Sequence, residues 1–171
     1  VLGPHVTQKG SLVEPERLRF DFSHMKPISD DEMVKIESHV NDMISKQTEV
    51  TTRIMTPKEA VEKGALALFG EKYDEEVRVL SMGKENGGFF STELCGGTHV
   101  RNTKDIGRFK IVAQSSIAAG IRRVEALRDK QLEDYERSAK QNKSLKEKNL
   151  KEQIDVVKKE LSKHEIKPNY K

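Results

Sequence analysis

The last quarter of the chain is the sequence feature that most restricts the fold. From Arg128 to Lys171 there is no glycine and one proline, Pro168, and half of the residues are charged. Such a segment contains few of the large apolar side chains that form a hydrophobic core. Any sizeable core must therefore come from residues 1–127, and we expect residues 128–171 to form a charged helical extension.

The extension also differs from the rest of the chain in charge. Its formal charge is +4, which leaves −1 for residues 1–127 out of a total of +3. Four of its apolar residues recur at intervals of four, three and four, a spacing typical of a coiled-coil seam. These residues are Leu150, Ile154, Val157 and Leu161. The seam is short, so we favour one long, exposed helix, with self-association through it as the alternative.

Local patterns predict several strands within residues 1–127. Leu18–Phe22 alternates between apolar and polar residues, as a half-buried strand does, and residues 5–13 can pair with it across the turn at Glu14–Glu16. Four further segments have strand-like composition. They are Val50–Met55, Val77–Met82, Phe109–Gln114 and Ile121–Leu127.

Two helices are predicted between these strands. Ser29 and Glu32 have capping-box spacing, and apolar residues at helical intervals continue to about Gln47. Thr56 is a second candidate N-cap, opening a short helix that we expect to stop at Gly70. Strands interleaved with two helices, without a regular βαβ repeat, predict an α+β domain. We expect a mixed or antiparallel sheet with two packed helices, followed by a long C-terminal helix.

Cys95 and His99 are the clearest candidates for chemistry. They lie four residues apart around Gly96 and Gly97. A thiolate and an imidazole are both zinc ligands, and two glycines allow the backbone to fold back so that both side chains face one point. The motif therefore predicts half of a zinc site. The alternative is that Cys95 is a small buried apolar residue.

Cysteine content and hydropathy predict the compartment. One cysteine cannot form an intrachain disulfide, which favours a reducing environment. No signal peptide or apolar run of membrane-spanning length is present. We therefore expect a cytoplasmic protein without a membrane partner. Because the chain starts at Val1 rather than Met, and Val1–Pro4 resembles a helix end, we expect it to be part of a longer protein.

The Cys95 motif and four others together resemble the editing region of alanyl-tRNA synthetases. The resemblance covers about residues 1–127, and five separated motifs in the family's order are far more specific than Cys-x-x-x-His alone. The motifs are Ser91–His99, His5–Ser11, Leu18–His24, Ala67–Tyr73 and Ala119–Ala126.

The resemblance implies an activity and a zinc cofactor. In this family the editing site hydrolyses the ester that joins serine or glycine wrongly to the tRNA for alanine, tRNA(Ala). The parent enzyme ligates alanine to that tRNA with ATP and magnesium, and the motifs for this reaction are not in these residues. Cys95 and His99 match two of four zinc ligands. The other two belong to a His-x-x-x-His motif that the sequence lacks, so we expect an incomplete zinc site and weak or absent hydrolysis.

The resemblance also implies catalytic and substrate-binding residues. Gln8 matches a glutamine whose amide can orient a water or hold a polar substrate group, with Thr7 as its neighbour in substrate binding. The alternative for Gln8 is a turn residue facing solvent. Arg122 is the candidate for contact with the terminal phosphate or ribose of the tRNA. Arg123 would then point to the opposite side of the strand, into solvent.

The remaining histidines, and Cys95 as a nucleophile, are less favoured for these roles. His5 and His24 are candidates to approach the site, but neither has ligand spacing with a partner. His39 and His164 are interpreted as ordinary surface or helix histidines. Cys95 as a covalent nucleophile is disfavoured, because a thiolate bound to zinc is less available for attack.

The predicted partner is the acceptor end of tRNA(Ala). Basic residues near the motifs suggest a surface for the RNA backbone, with about three or four phosphate contacts and the remaining charges solvated. These residues are Lys9, Arg17, Arg19, Arg101, Lys104, Arg108 and Lys110. Two rival hypotheses stay open at this point: a free-standing editing factor of the same family, and a tRNA-docking module that does not catalyse hydrolysis.

Overall fold

A computed structural model describes residues 1–65, 74–85 and 88–163. The chain divides into two compact units, Val1–Leu132 and Glu133–Lys171. The first unit contains all the strands in the described ranges. The domain limits expected from the sequence, 1–127 and 128–171, stay a prediction.

The first unit contains two antiparallel sheets and three short or medium helices. The large sheet has the strand order β1-β2-β7-β6, and the small sheet has the order β3-β4-β5. Strands are β1 Gln8–Val13, β2 Leu18–Ser23, β3 Thr51–Met55, β4 Val77–Glu85, β5 Gly88–Leu94, β6 Phe109–Ala118 and β7 Ile121–Arg128. Helices are α1 Asp30–Ser45, α2 Pro57–Glu62, a 3-10 turn at Thr103–Ile106, and α3 Asp129–Lys163. The predicted α+β class with a long C-terminal helix is confirmed.

Both helix starts follow the predicted capping chemistry. At α1, the Glu32 amide donates to the Ser29 hydroxyl at 3.4 Å, and the Ser29 amide donates to the Glu32 carboxylate at 2.9 Å. Thr56 and Glu59 make the same pair of bonds at α2. Bonds from Ser29 lower the pKa of the Glu32 carboxyl, and bonds from Thr56 lower that of Glu59. Each capping box satisfies amides that have no partner within the helix.

Several predicted boundaries differ from the structure, among them those of α2 and β4. The helix expected to reach Gly70 ends at Glu62, because Gly64 adopts a φ of 76° that does not continue a helix. The Ala67–Tyr73 motif lies outside the described residues. The strand predicted over Val77–Met82 is also longer, since β4 runs to Glu85, and β5 at Gly88–Leu94 matches no predicted strand.

The core of the first unit consists of two groups of apolar side chains. One lies on the large sheet and is built from Phe22, Ile28, Ile111, Val124 and Ala126. The other lies on the small sheet and is built from Met55, Ala60, Ala65, Val77, Val79 and Leu94. Helix α1 contacts both β6 and β4, so it packs against both sheets.

Side chains of α1 also satisfy the free edge of β6. The Asn41 amide bonds to both the N–H and the carbonyl of Phe109, at 3.0 and 2.9 Å. The Ile111 N–H donates to the Glu37 carboxylate at 2.7 Å. An edge strand with unpaired backbone groups can template the pairing of another chain. These bonds therefore hold α1 against β6 and keep the edge of β6 from pairing with another chain.

Helix α3 is long and polar, and most of it belongs to the second unit. Ion pairs between neighbouring turns, such as Arg137 with Asp134 at 3.8 Å and Lys148 with Glu152 at 3.9 Å, lie along its surface. The apolar seam residues Leu150, Ile154 and Val157 are exposed. None of the helices in the described ranges combines the length and apolar character needed to cross a membrane.

Candidate functional site

The loop that carries Cys95 and His99 begins where β5 ends, after the buried Leu94. The Cys95 amide donates to the carbonyl oxygen of Arg78 on the neighbouring strand β4, at 3.1 Å. The Arg78 guanidinium donates in turn from Nη1 to the carbonyls of Gly96 and Gly97, at 3.2 and 2.6 Å. One residue of β4 therefore binds the loop through both its backbone and its side chain.

Cys95 and His99 converge on one side of Gly97. A Cβ atom added to Gly97 would lie 3.7 Å from the Cys95 sulfur and 3.8 Å from Cε1 of the His99 ring. Both side chains are therefore within 4 Å of a single point beside the backbone. A glycine here leaves that point open, as the sequence predicted for a loop that folds back on itself.

The loop also changes the protonation of His99. Partial loss of water around its ring, followed by the nearby Arg78 charge, lowers the pKa of His99. A hydrogen bond to the Gly97 backbone and the charge of the Glu93 carboxylate both raise the pKa of His99, but the net shift is downward. A lowered pKa favours neutral imidazole, which is the form that binds metals.

These two side chains have the donor chemistry of zinc ligands, and both lie close to Gly97. Zinc in proteins is usually tetrahedral with thiolate and imidazole ligands, so the pair supplies two of four. Within residues 1–65, 74–85 and 88–163, no group of three or more histidine, cysteine, aspartate or glutamate side chains is arranged to hold a metal ion. Cys95 and His99 are thus two candidate ligands among the described residues, and the zinc site stays a prediction.

Beyond His99, the chain is fixed to the segment that joins α1 to β3. The Val50 amide donates to the Arg101 carbonyl at 2.9 Å, and the Thr103 amide donates to the Thr48 carbonyl at 2.9 Å. Thr48 and Thr103 are both buried, and the Thr48 amide returns a bond to the Thr103 hydroxyl at 3.0 Å. The loop is thus held by β4 at one end and by residues 48–50 at the other.

Gln8 and Arg122 lie in one row across the large sheet. Gln8 pairs with Phe22, which pairs with Arg122, which pairs with Ser116. Directly paired residues share a face of an antiparallel sheet, so both predicted catalytic residues flank Phe22 on the core-facing side. Since neighbouring strands lie about 4.8 Å apart, their Cα atoms are roughly 10 Å apart.

Arg122 has donors that the described residues do not satisfy. Its Nη2 donates to the Gln114 side-chain oxygen at a long 3.4 Å, and its Nε is buried without a hydrogen-bond partner among the described residues. Gln114 is fixed by bonds with both the N–H and the carbonyl of Ile28, at 2.9 and 2.8 Å. The guanidinium therefore retains donors for a further acceptor.

Arg123, expected to be solvated, is paired instead. It forms two parallel bonds with the buried Asp21 carboxylate, at 2.7 and 2.8 Å, on the opposite face of the sheet. These bonds lower the pKa of Asp21 and raise that of Arg123. The expectation of a solvated Arg123 is wrong because sheet register, which is not visible in one strand, places a carboxylate opposite it.

Thr7 and two histidines form a separate polar group at the end of β2. The Thr7 amide and hydroxyl both bond to the Ser23 hydroxyl, at 2.8 and 3.0 Å. His5 Nε2 and His24 Nδ1 share a hydrogen bond of 2.9 Å, and their rings stack with centroids 5.2 Å apart. Each histidine therefore engages the other. His39 is exposed on α1, and His164 lies outside the described residues.

The two predicted pairs belong to different sheets. Val100, directly after His99, lines a cavity of about 500 Å³ with Leu18 at the start of β2. Gln8 and Arg122 flank Phe22, which lies four residues, or roughly 13 Å, from Leu18 along β2. No hydrogen bond or ion pair between described residues joins Cys95 or His99 to Gln8 or Arg122.

The predicted basic surface is only partly free. Arg17 forms ion pairs with Glu14 at 2.9 Å and Glu125 at 3.6 Å, and Arg19 lies 3.8 Å from Asp21. The five other members of the predicted set are exposed: Lys9, Arg101, Lys104, Arg108 and Lys110. Sequence reasoning overlooked Arg78, since it belongs to no motif and only strand pairing brings it beside the loop.

Comparison with known proteins agrees with the predicted resemblance. The family described as "Threonyl and Alanyl tRNA synthetase second additional domain" matches residues 77–125, which include β4, β5, the Cys95–His99 loop and β6. Similar curated proteins are alanine–tRNA ligases. One from Parvibaculum lavamentivorans is 62% identical over 130 residues, covering 74% of this chain and 15% of that protein.

Two further relatives carry the same name. An alanine–tRNA ligase from Rickettsia conorii is 50% identical over 177 residues, covering 95% of this chain and 20% of that protein. One from Coxiella burnetii is 57% identical over 141 residues, covering 82% of this chain and 16% of that protein. The chain spans a fifth or less of the length of these relatives.

Proposed function

Since the chain belongs by sequence to the alanine–tRNA ligase family over the segment it spans, we propose that it is the editing region of such an enzyme. It would hydrolyse the ester of serine or glycine wrongly attached to tRNA(Ala). The observation that carries this proposal is the convergence of Cys95 and His99 beside Gly97 within the matched domain. The ligation of alanine to tRNA with ATP and magnesium is assigned to other parts of the longer enzymes.

The proposed roles follow the chemistry of ester hydrolysis. The reaction needs a directed water, donors for the developing oxyanion and a grip on the tRNA end. Arg122 bonds to Gln114 only at 3.4 Å, and its guanidinium is the candidate donor to a phosphate or ribose oxygen. Gln8, on the same face, has an amide that can both donate to and accept from a water.

Cys95 and His99 would hold zinc together with ligands from elsewhere. When bound, zinc would supply positive charge to polarise or position the ester. Selection of serine over alanine requires a polar group that pairs with the serine hydroxyl, because alanine would leave that buried group unpaired. Glycine would be admitted by its small size alone. Thr7 and Gln8 are the candidates, although the Thr7 hydroxyl already bonds to Ser23.

Deacylation of charged tRNA tests the proposal directly. Purified chain is mixed with tRNA(Ala) carrying radiolabelled serine, and ester loss is followed with and without added zinc. We expect slow hydrolysis above the spontaneous rate, lost in Cys95→Ala and in Arg122→Gln, with alanine-charged tRNA largely spared. An exposed-site variant, Arg53→Gln, is the matched control.

Two results would contradict the proposal in different ways. Binding of charged tRNA without any ester loss, with or without zinc, would favour the docking module. Ester loss that persists in Cys95→Ala would separate hydrolysis from the zinc-ligand pair and remove the observation on which the proposal depends.

A further inference from the structure

We propose that Arg78 is the positioning residue of the Cys95–His99 pair, holding the loop in the shape that directs both side chains to one point. The inference rests on the proposed function, because the pair matters only if that loop is the site. Arg78 matches no motif of the sequence analysis, and its role emerges only from the pairing of β4 with β5.

The first step concerns the rigidity of Arg78 itself. It lies between Val77 and Val79, which are 9% and 3% exposed and belong to the core of the small sheet. Its strand is paired on both sides, with Ile54 of β3 as its partner. A side chain that begins from a backbone packed in this way has a fixed origin, so its guanidinium is a firm anchor for a loop.

The second step concerns what Arg78 binds. The Cys95 amide, at the start of the loop, bonds to the Arg78 carbonyl, and Gly96 and Gly97 both direct their carbonyls to one Nη1 nitrogen. Bonds from a charged donor are stronger than neutral ones. Three contacts to three consecutive residues thus restrain the start of a five-residue motif.

The third step concerns the glycines. Because Gly96 and Gly97 have no Cβ, the loop would sample many backbone conformations if Arg78 did not hold it. Cys95 and His99 stand on either side of these glycines and meet at Gly97 only in some of them. The two carbonyl bonds from Arg78 select among those conformations, and the loss of the guanidinium would allow the two side chains to separate.

Metal protection of the single thiol tests this role. Cys95 is the only cysteine in the chain, so its alkylation by iodoacetamide reports on this loop alone. In the unaltered chain, zinc should slow alkylation. We expect Arg78→Gln to need about 10-fold more zinc for half-protection, as outer-shell changes typically do, and Arg78→Lys to fall between. Arg53→Gln, an exposed arginine on β3, should behave as the unaltered chain.

Amide hydrogen exchange without metal tests the positioning role of Arg78 independently of zinc binding. Amide hydrogen exchange at Thr98 and His99 should be several-fold faster in Arg78→Gln than in Arg53→Gln, with the core amides of β4 unchanged. Equal exchange in the two variants would overturn the positioning role. If zinc fails to protect even the unaltered chain while exchange still separates the variants, the proposed metal site fails and the positioning role stands.

A fold control completes the experiment. Thermal unfolding of each variant identifies general destabilisation, and if Arg78→Gln does not fold, the comparison is made with Arg78→Lys, which keeps the charge but cannot reach two carbonyls with the same geometry. Zinc protection and loop exchange of Arg78→Lys identical to those of the unaltered chain would then overturn the inference.

Discussion

The two sheets hold their candidate functional residues in different ways. In the large sheet, Gln8 and Arg122 flank the core residue Phe22 in a row of paired strands. In the small sheet, Cys95 and His99 belong to a loop beyond the last strand residue, and Arg78 holds that loop by hydrogen bonds to Gly96 and Gly97. Changes near the first pair should therefore disturb stability and activity together, whereas changes in the loop should separate them.

Truncation of the middle residue of the row should give the largest effect. Phe22 is 4% exposed, so Phe22→Ala removes a buried ring and leaves a cavity between Gln8 and Arg122. We expect a loss of about 3–5 kcal/mol in the free energy of unfolding, measured by urea denaturation. Phe89→Ala, at a 45% exposed aromatic of the small sheet, should change it by less than about 1 kcal/mol. Similar losses of unfolding free energy in Phe22→Ala and Phe89→Ala would contradict this difference between the two sheets.

Acid should weaken the large sheet through Asp21. Because Arg123 lowers the pKa of Asp21 below its usual 3.8, the ionised carboxylate stabilises the folded state. That contribution is complete above the ordinary pKa and is lost as the pH falls through the lowered one. We expect Asp21→Asn to be less stable at neutral pH and to show a flatter decline in stability below pH 4, measured by thermal unfolding across pH. A parallel decline in both proteins would contradict this assignment.

Removal of one helix cap should have a moderate effect. In Ser29→Ala the first turn of α1 loses its side-chain acceptor, at a cost of about 1 kcal/mol. Because α1 protects the edge of β6, amide exchange in β6 should also rise. The matched change Thr56→Ala, at α2, should leave β6 unaffected, and faster exchange of β6 in both variants would show that the two helices do not act independently.

Change at the loop cysteine should affect stability least. Cys95 is half-buried and its sulfur lies beside Gly97 in an otherwise exposed loop, so Cys95→Ala should alter the metal-free stability by less than about 1 kcal/mol. The same change should abolish zinc retention, which we expect to be below one ion per chain even before mutation, since the described residues offer two candidate ligands. Elemental analysis after dialysis measures this, and one tightly held zinc per chain would be the opposing result.

Local features of the fold were predictable from the sequence. The β1–β2 hairpin, the capping box at Ser29 and the N-cap at Thr56 were confirmed because each depends on residues close together in the chain. Strand β5 was missed because its start, Gly88, follows a stretch rich in glycine that is typical of a turn. The end of α2 was placed too late, since Ala65 looks like a further helical residue but follows a glycine with positive φ.

The candidate site was harder to predict from local sequence patterns. Sequence spacing identified Cys95 and His99, but the register across three strands decides that Gln8 and Arg122 share a row and that Arg123 meets Asp21. Pairing of residues about 100 positions apart leaves no local pattern. The same holds for Arg78, which binds a loop about 18 residues later in the chain.

The register of β1 shifts between Gln8 and Gly10, and this irregularity has an architectural consequence. In an unbroken strand, residues two apart face the same way, yet Gln8 pairs with Phe22 while Gly10 pairs with Asp21, on opposite faces. Lys9 is the extra residue that permits both. A homologue shortened by this single position would keep the glutamine and the glycine facing as they do now, so this point of the chain can absorb a deletion without reorienting its neighbours.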